Sequence, residues 1–232
     1  MLKEGFKEIT SFQPESENDL NLELLEGEIL EKTKEVEKKG DIIGEGETAR
    51  VYVCESNPEV CYKFIKRGNA SYRYRVDTKK EGLFLLETCD LDNDVEVPKP
   101  YYSIITKGEI EALIMKRLVD YISIDDLIRN KVKLPDNFDY EIFFDQLKKF
   151  FDKAHNNKKI FHRDAHRGNI MINLKTGKPG VIDFGASKKL YISSDNPYEQ
   201  IDVNSDVFIY TKDEIRIREV VRDLKKYIYD NN

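Results

Sequence analysis

Between Ile160 and Ser187 the chain reads IFHRDAHRGNIMINLKTGKPGVIDFGAS, a stretch that leaves few ways to fold. Two short apolar runs, Ile170 to Ile172 and Val181 to Ile182, flank the polar turn Thr176-Gly177-Lys178-Pro179, and this pattern predicts paired strands. The hairpin carries Asn169 at its entry and Asp183 at its exit, with His162-Arg163-Asp164 just upstream. Held in that way, Asn169 and Asp183 offer two oxygen ligands to a hard cation, and Asp164 sets a further carboxylate where it can meet a hydroxyl.

Elsewhere the chain offers weaker signals. Asp41 to Val53 reads as two β-type segments around a turn containing Gly44 and Gly46, a pattern that by itself is more often only a turn. Lys63 then interrupts the apolar run Val60-Cys-Tyr-Lys-Phe-Ile65, 19 residues after Gly44. A lysine in such a strand needs an anionic partner. The periodicity of Ser71 to Leu91 predicts a helix facing inward through Leu83, Leu86 and Phe84. Glu81 in it either meets Lys63 or sits on a solvated face beside Lys79 and Lys80. Tyr101 to Ile105 and Glu111 to Leu118 read as strands, and Ser123 opens a helix with capping-box spacing. Phe138 to Asn156 reads as a helix with Ile142, Phe143, Leu147, Phe150, Phe151 and Ala154 inward. Ile217, Val220, Val221, Leu224 and Ile228 stand at helical spacing and predict a last helix that runs nearly to residue 232.

Composition narrows the class. No apolar run approaches the ~18 residues of a membrane span, and three cysteines without a close pair argue against both a disulfide framework and a metal clip. Net charge is −6, with eleven acidic against six basic residues in positions 1 to 40, so no basic footprint for nucleic acid is visible. That acidic front is open to three readings: a short helix, an extra strand pair or a disordered arm. His162 and His166 stand four apart like a zinc pair, but no Glu fills the second position and Gly168 interrupts a helix, which disfavours zinc.

The string H-R-D-x-x-x-x-N followed by D-F-G resembles the catalytic and metal-binding loops of the protein-kinase superfamily. The resemblance covers roughly residues 40 to 230 and implies a two-lobed α+β fold, with an antiparallel-sheet N-lobe carrying one helix and a shortened, mainly helical C-lobe. Its expected divisions are an acidic extension at 1–40, an N-lobe at 41–118 and a C-lobe at 119–232. It further implies an ATP- and Mg²⁺-dependent phosphotransferase. Asp164 would orient the acceptor hydroxyl, Lys63 paired with Glu81 (preferred over Glu87) would hold phosphates, and Asn169 and Asp183 would hold Mg²⁺. Gly44 and Gly46 would admit phosphates, Val51 would cover the adenine, Met115 would guard the back of its pocket, and the backbone around Lys116 to Leu118 would meet its edge. Ala49 replaces the third glycine of the family's loop.

Other departures bear on substrate. Where serine/threonine kinases carry a lysine, two residues after the catalytic aspartate, this chain has His166, as in aminoglycoside- and choline-kinase-like phosphotransferases. A histidine there can donate to a phosphate, with a charge that depends on pH. Arg163 points towards protein kinases, in which an arginine before the catalytic aspartate can pair with an activation-loop phosphate. Tyr191, Ser193, Ser194 and Tyr198 are candidate phosphate acceptors or plain surface. Asn204-Ser-Asp-Val-Phe208 resembles the start of the large C-lobe helix, and with 49 residues after Asp183 the chain resembles trimmed-down kinases among bacterial effectors and other small atypical members. A protein acceptor at Ser or Thr is the first expectation, including self-phosphorylation; a small alcohol or a non-catalytic nucleotide-binding module are the alternatives. The expected location is cytoplasmic, either in the producing cell or in a host.

Overall fold

A computed structural model describes residues 6–12, 27–29, 42–46, 48–65, 77–106, 111–189 and 203–231. They fall into two compact units, one drawn from Met1–Leu86 and Pro98–Arg117, the other from Glu87–Val97 and Leu118–Asn232.

The first unit is an antiparallel sheet of six strands: β1 (Phe6–Ser11), β2 (Ile42–Glu45), β3 (Ala49–Val53), β4 (Val60–Ile65), β5 (Pro100–Thr106) and β6 (Glu111–Lys116). Their order is β1-β5-β6-β4-β3-β2. Residues opposite one another across a ladder share a face, and successive residues alternate. Register therefore sorts the side chains: Val51, Lys63 and Leu113 are opposite one another, as are Cys61 and Met115, so all five share one face. Tyr52, Tyr62, Phe64, Tyr102, Ile104, Ala112 and Ile114 fill the other and make a buried cluster with Ile29. Both faces of β4 are thus covered, which is why its apolar run shows no alternation.

The acidic front contributes to this unit. β1 pairs with β5 as an edge strand. Gly27 to Ile29, the described part of the Leu20 to Leu30 stretch, is helical. Glu28 accepts hydrogen bonds from the Tyr62 hydroxyl at 2.6 Å, the Ser56 N–H at 3.0 Å and the Cys54 thiol at 3.2 Å. The Pro14 to Asp19 loop and the remainder of positions 13–26 and 30–41 lie outside the described residues.

Helix α1 (Thr78–Thr88) corrects the expected inward face. Leu83 and Leu86 are exposed, at 47% and 37%, whereas Thr78, Glu81, Phe84, Leu85 and Thr88 are buried. Thr78 and Glu81, polar side chains with partners on neighbouring strands, lie on the inner stripe, so apolar periodicity phased the helix about one residue off. Positions 71–76 of the expected helix lie outside the described residues. Gly82 meets the Phe12 ring so closely that a Cβ built there would stand 2.1 Å from Cζ. Alanine gains at most ~1 kcal/mol over glycine within a helix, while forcing a methyl into a packed ring typically costs ~1–3 kcal/mol. We therefore expect Gly82→Ala to lower stability in denaturant unfolding, and an unchanged or raised midpoint would contradict this packing.

The second unit is built on β7 (Tyr121–Ser123), helix α2 (Ile124–Arg129), helix α3 (Tyr140–Lys153), β8 (Ile160–Phe161), β9 (Ile170–Asn173), β10 (Pro179–Val181), β11 (Lys188–Lys189) and helix α4 (Val203–Asn231). Ser123 caps α2 by accepting the Asp126 N–H at 3.0 Å, and Asp139 caps α3 through the Glu141 and Ile142 N–H groups. Phe143, Leu147, Phe150, Phe151 and Ala154 form the buried stripe of α3 and the turn after it. Ile142, expected inward, is 56% exposed because it lies one position, or ~100°, off that stripe. On α4 the core contacts are Ile217, Val220 and Leu224. Val221 and Ile228 are only partly buried. No helix among the described residues is long and apolar enough to cross a membrane.

Candidate active site

The β9–β10 hairpin forms as its residue pattern predicts. Val181 lies opposite Ile170, and the next rung is the Ile182 N–H donating to the Asn169 carbonyl at 3.0 Å. Register alone therefore sets Asn169 beside the step that leads to Asp183. Gly177 turns the chain at φ 74°, a conformation that suits glycine.

Asn169 is oriented by its amide, which donates to the Asp164 carbonyl at 2.9 Å and to Asp164 Oδ2 at 3.4 Å. With the nitrogen turned to Asp164, the amide oxygen is the atom left for a cation. Asp183 sits in the left-handed region at φ 62° and accepts the Gly185 N–H at 3.4 Å. An amide oxygen and a carboxylate are hard donors of the kind Mg²⁺ takes, so this donor set fits that ion.

His162 is buried against this loop, with 1% exposure. Its Nε2 lies 2.9 Å from the Ile182 carbonyl, so that nitrogen bears the proton and Nδ1 accepts the Asp164 N–H at 3.3 Å. Burial pushes its pKa below the usual histidine value, which keeps this neutral arrangement. Phe184 packs on it edge to face at 4.7 Å. His162 is a spacer that ties the loop to the end of β10.

His166 differs. Its side chain is 48% exposed, its Nδ1 accepts the Gly168 N–H at 2.9 Å, and its Nε2 stands 3.6 Å from Asp164 Oδ2 and 3.3 Å from the Asn169 amide. Attraction to His166 holds the Asp164 carboxyl below the ordinary aspartate range, and Asp164 in turn raises the proton affinity of His166. Asp164 is thereby kept ionised, as a group accepting a hydroxyl proton must be.

Residue-pattern reasoning missed the anchor of this loop, Asp213. Fully buried on α4, it accepts the His162 N–H on Oδ2 at 2.8 Å and the Arg163 N–H on Oδ1 at 2.6 Å, and its Oδ2 lies 3.2 Å from His155 Nε2. Arg163 is held at φ 67°, where an L-residue is strained, and donates to the Ala186 carbonyl at 3.4 Å. Arg167, also in the loop, reaches Asp125 of α2 at 3.4 Å and Asp223 of α4 at 3.3 Å. The candidate acceptors at 191–198 lie outside the described residues, as do the side chains of Asn204 to Phe208.

Within the first unit, Lys63 Nζ meets both oxygens of Glu81, at 2.7 and 2.9 Å, with 4% and 1% of the two residues exposed. Glu81, and not Glu87, is the partner. Gly44 lies opposite Val51, so a Cβ on it would reach the valine at 3.7 Å, and Gly46 closes the turn by donating to the Ala49 carbonyl at 3.0 Å. Met115 shares the Lys63 face and is buried, its carbonyl lying 3.6 Å from the Cys61 thiol. Burial raises that thiol to about 12, so it stays protonated. The Lys116 N–H donates to the Lys99 carbonyl at 2.8 Å. Leu118, which belongs to the second unit, is partly buried.

The family model of the protein kinase domain matches residues 37–211. No curated protein matches the chain. Among solved structures, a chain of the CAK complex from Chaetomium thermophilum bound to ATP-gamma-S is similar at a TM-score of 0.50 and 23% identity, over 71% of this chain and 52% of that one. This chain thus spans about half the length of that match, and at this identity the likeness bears on the fold alone.

Proposed function

Because the chain belongs to the protein kinase family, we propose that it is an active phosphotransferase that takes ATP with Mg²⁺ and phosphorylates a hydroxyl, first of all on Ser or Thr of a protein, itself included. The observation that carries this reading is the Lys63–Glu81 pair. Two opposite charges this deeply buried gain little or nothing in stability over apolar residues of the same volume. A lysine kept there for its charge is explained by phosphates it must meet.

The roles follow residue by residue. Lys63, steadied by Glu81, holds the phosphates, and Gly44 and Gly46 let the backbone come close to them. Val51 and Met115 line the base, with the backbone from Lys116 to Leu118 at its edge. Asn169 and Asp183 hold Mg²⁺, which when bound neutralises phosphate charge. Asp164 accepts the hydrogen bond of the acceptor hydroxyl, and His166 donates to a phosphate oxygen. The buried, free Cys54 and Cys61 and the need for ATP suit a cytoplasmic setting. One observation favours a small alcohol instead: His166, beside Asp164, stands where protein kinases of the Ser/Thr type carry lysine.

Titration calorimetry with a non-hydrolysable ATP analogue, with and without Mg²⁺, tests the nucleotide step, and binding by folded protein that ignores the metal would contradict it. For the acceptor, the chain is incubated with labelled ATP alone, with generic proteins and with a small-metabolite extract, using Asp164→Ala as the blank. Label on Ser or Thr that depends on Asp164 supports the protein reading. Label confined to small molecules overturns it.

A further inference from the structure

We propose that Glu111 is a positioning residue that sets helix α1 and so holds Glu81 on Lys63, an inference that rests on reading Lys63 as the phosphate-binding lysine. The first turn of a helix leaves its N–H groups without intrahelical partners. In α1 a strand supplies one of them. Glu111, the first residue of β6, accepts the Thr78 N–H at 2.8 Å and the Thr78 hydroxyl at 2.7 Å on a single oxygen, Oε1. With its proton spent on Glu111, the Thr78 hydroxyl accepts from Ser103 of β5, 2.7 Å away. Thr78 is fully buried and Ser103 nearly so, which shields their mutual bond from water, while Glu111 reaches Thr78 from a partly buried position at the start of β6. A carboxylate at this end of a helix is also favoured by the backbone dipole.

Connectivity gives this contact its consequence. Glu81 lies three residues beyond Thr78, ~4.5 Å along the helix axis, and the Glu81 N–H makes the helix's first backbone bond, to the Asp77 carbonyl at 2.9 Å. Leu113, two residues beyond Glu111 on β6, lies directly opposite Lys63 on β4. A closed circuit results: Lys63 to Leu113 across the sheet, along β6 to Glu111, across to Thr78, along one turn to Glu81, and back to Lys63. Every link is a hydrogen bond, an ion pair or a stretch of regular backbone. The circuit lies wholly inside the first unit.

The test uses the full chain with Glu111→Ala, Glu111→Gln and Thr78→Val. Glutamine keeps an acceptor oxygen for Thr78, alanine keeps none, and valine removes only the hydroxyl. Two quantities are read: the rate at which acetic anhydride acetylates Lys63, followed by peptide mass, and phosphoryl transfer as kcat/KM. Directly coupled groups shift one another's equilibria by roughly 2- to 100-fold. Glu111→Ala is accordingly expected to acetylate Lys63 about tenfold faster and to lose kcat/KM by a similar factor. Thr78→Val should shift both in the same direction by less, and Glu111→Gln should restore both. In a Glu81→Gln background, Glu111→Ala should change neither. A folded Glu111→Ala that acetylates Lys63 at the parental rate overturns the inference. Should that variant fail to fold, Thr78→Val acetylated at the parental rate does the same. A parental enzyme that transfers no phosphate would count against the proposed activity alone, since the acetylation arm still reads the position of Glu81.

Discussion

Asp164→Ala is expected to slow phosphoryl transfer by on the order of 10²- to 10⁴-fold, the usual worth of a placed general base, while leaving nucleotide affinity nearly unchanged. The geometry separates the two effects. The Asp164 side chain is 46% exposed and within reach of an acceptor, and the Asn169 amide and His166 engage its Oδ2. Its Oδ1 is the atom left to take a hydroxyl. A stability loss does not compete as an explanation, because the carboxylate is half-exposed and the backbone of the loop is held by Asp213 through His162 and Arg163. Single-turnover transfer together with calorimetric titration of an ATP analogue checks both halves. Parental transfer by the alanine variant would remove Asp164 from the chemistry. A matched fall in nucleotide affinity would place it in binding instead.

How much of this site could be read in the sequence depended on how local its causes are. The β9–β10 hairpin follows from two apolar runs and a turn, so the positions of Asn169 and Asp183 were legible. Lys63 was legible because a charge in an apolar strand demands a partner, and it was the resemblance, through the family's spacing between lysine and helix glutamate, that pointed on to Glu81. The phase of α1 was not, since its buried stripe includes Thr78 and Glu81, whose burial is stabilised by partners on other elements. Ile142 misled for a smaller reason: an apolar residue beside a stripe looks like part of it until neighbouring elements are in place. Asp213 was invisible for a larger one. It sits in Lys212-Asp-Glu-Ile-Arg216, which reads as a solvated charged run, and the groups that fill its oxygens lie 50 and 51 residues away. Glu111 was hidden likewise, by a partner 33 residues distant.

Asp213→Asn should show how far that hidden anchor reaches. The carboxylate accepts two backbone N–H groups, one on each oxygen, and an amide of the same shape has only one acceptor atom. Whichever way the asparagine turns, an N–H of His162 or Arg163 faces an NH₂ group inside the protein. Leaving one buried donor unsatisfied costs ~1–3 kcal/mol, and more where the lost partner was charged. Arg163 adds to this, because its left-handed backbone persists only while its surroundings impose it. The loop is therefore expected to relax at Arg163, and relaxation there moves Asp164, the next residue. Displacing a catalytic group by ~1 Å can cost on the order of 10²-fold in rate. We expect Asp213→Asn to lower the thermal midpoint, to speed hydrogen exchange at the His162 and Arg163 amides, and to reduce kcat with little change in the KM for ATP. Asp213→Ala, which leaves both donors without a partner, should be less stable still. If the asparagine variant lost stability and amide protection yet transferred phosphate at the parental rate, Asp213 would support the unit's folding without setting Asp164. A parental thermal midpoint together with parental exchange would deny even that role, because the two N–H groups point at different oxygens and the amide keeps only one of them.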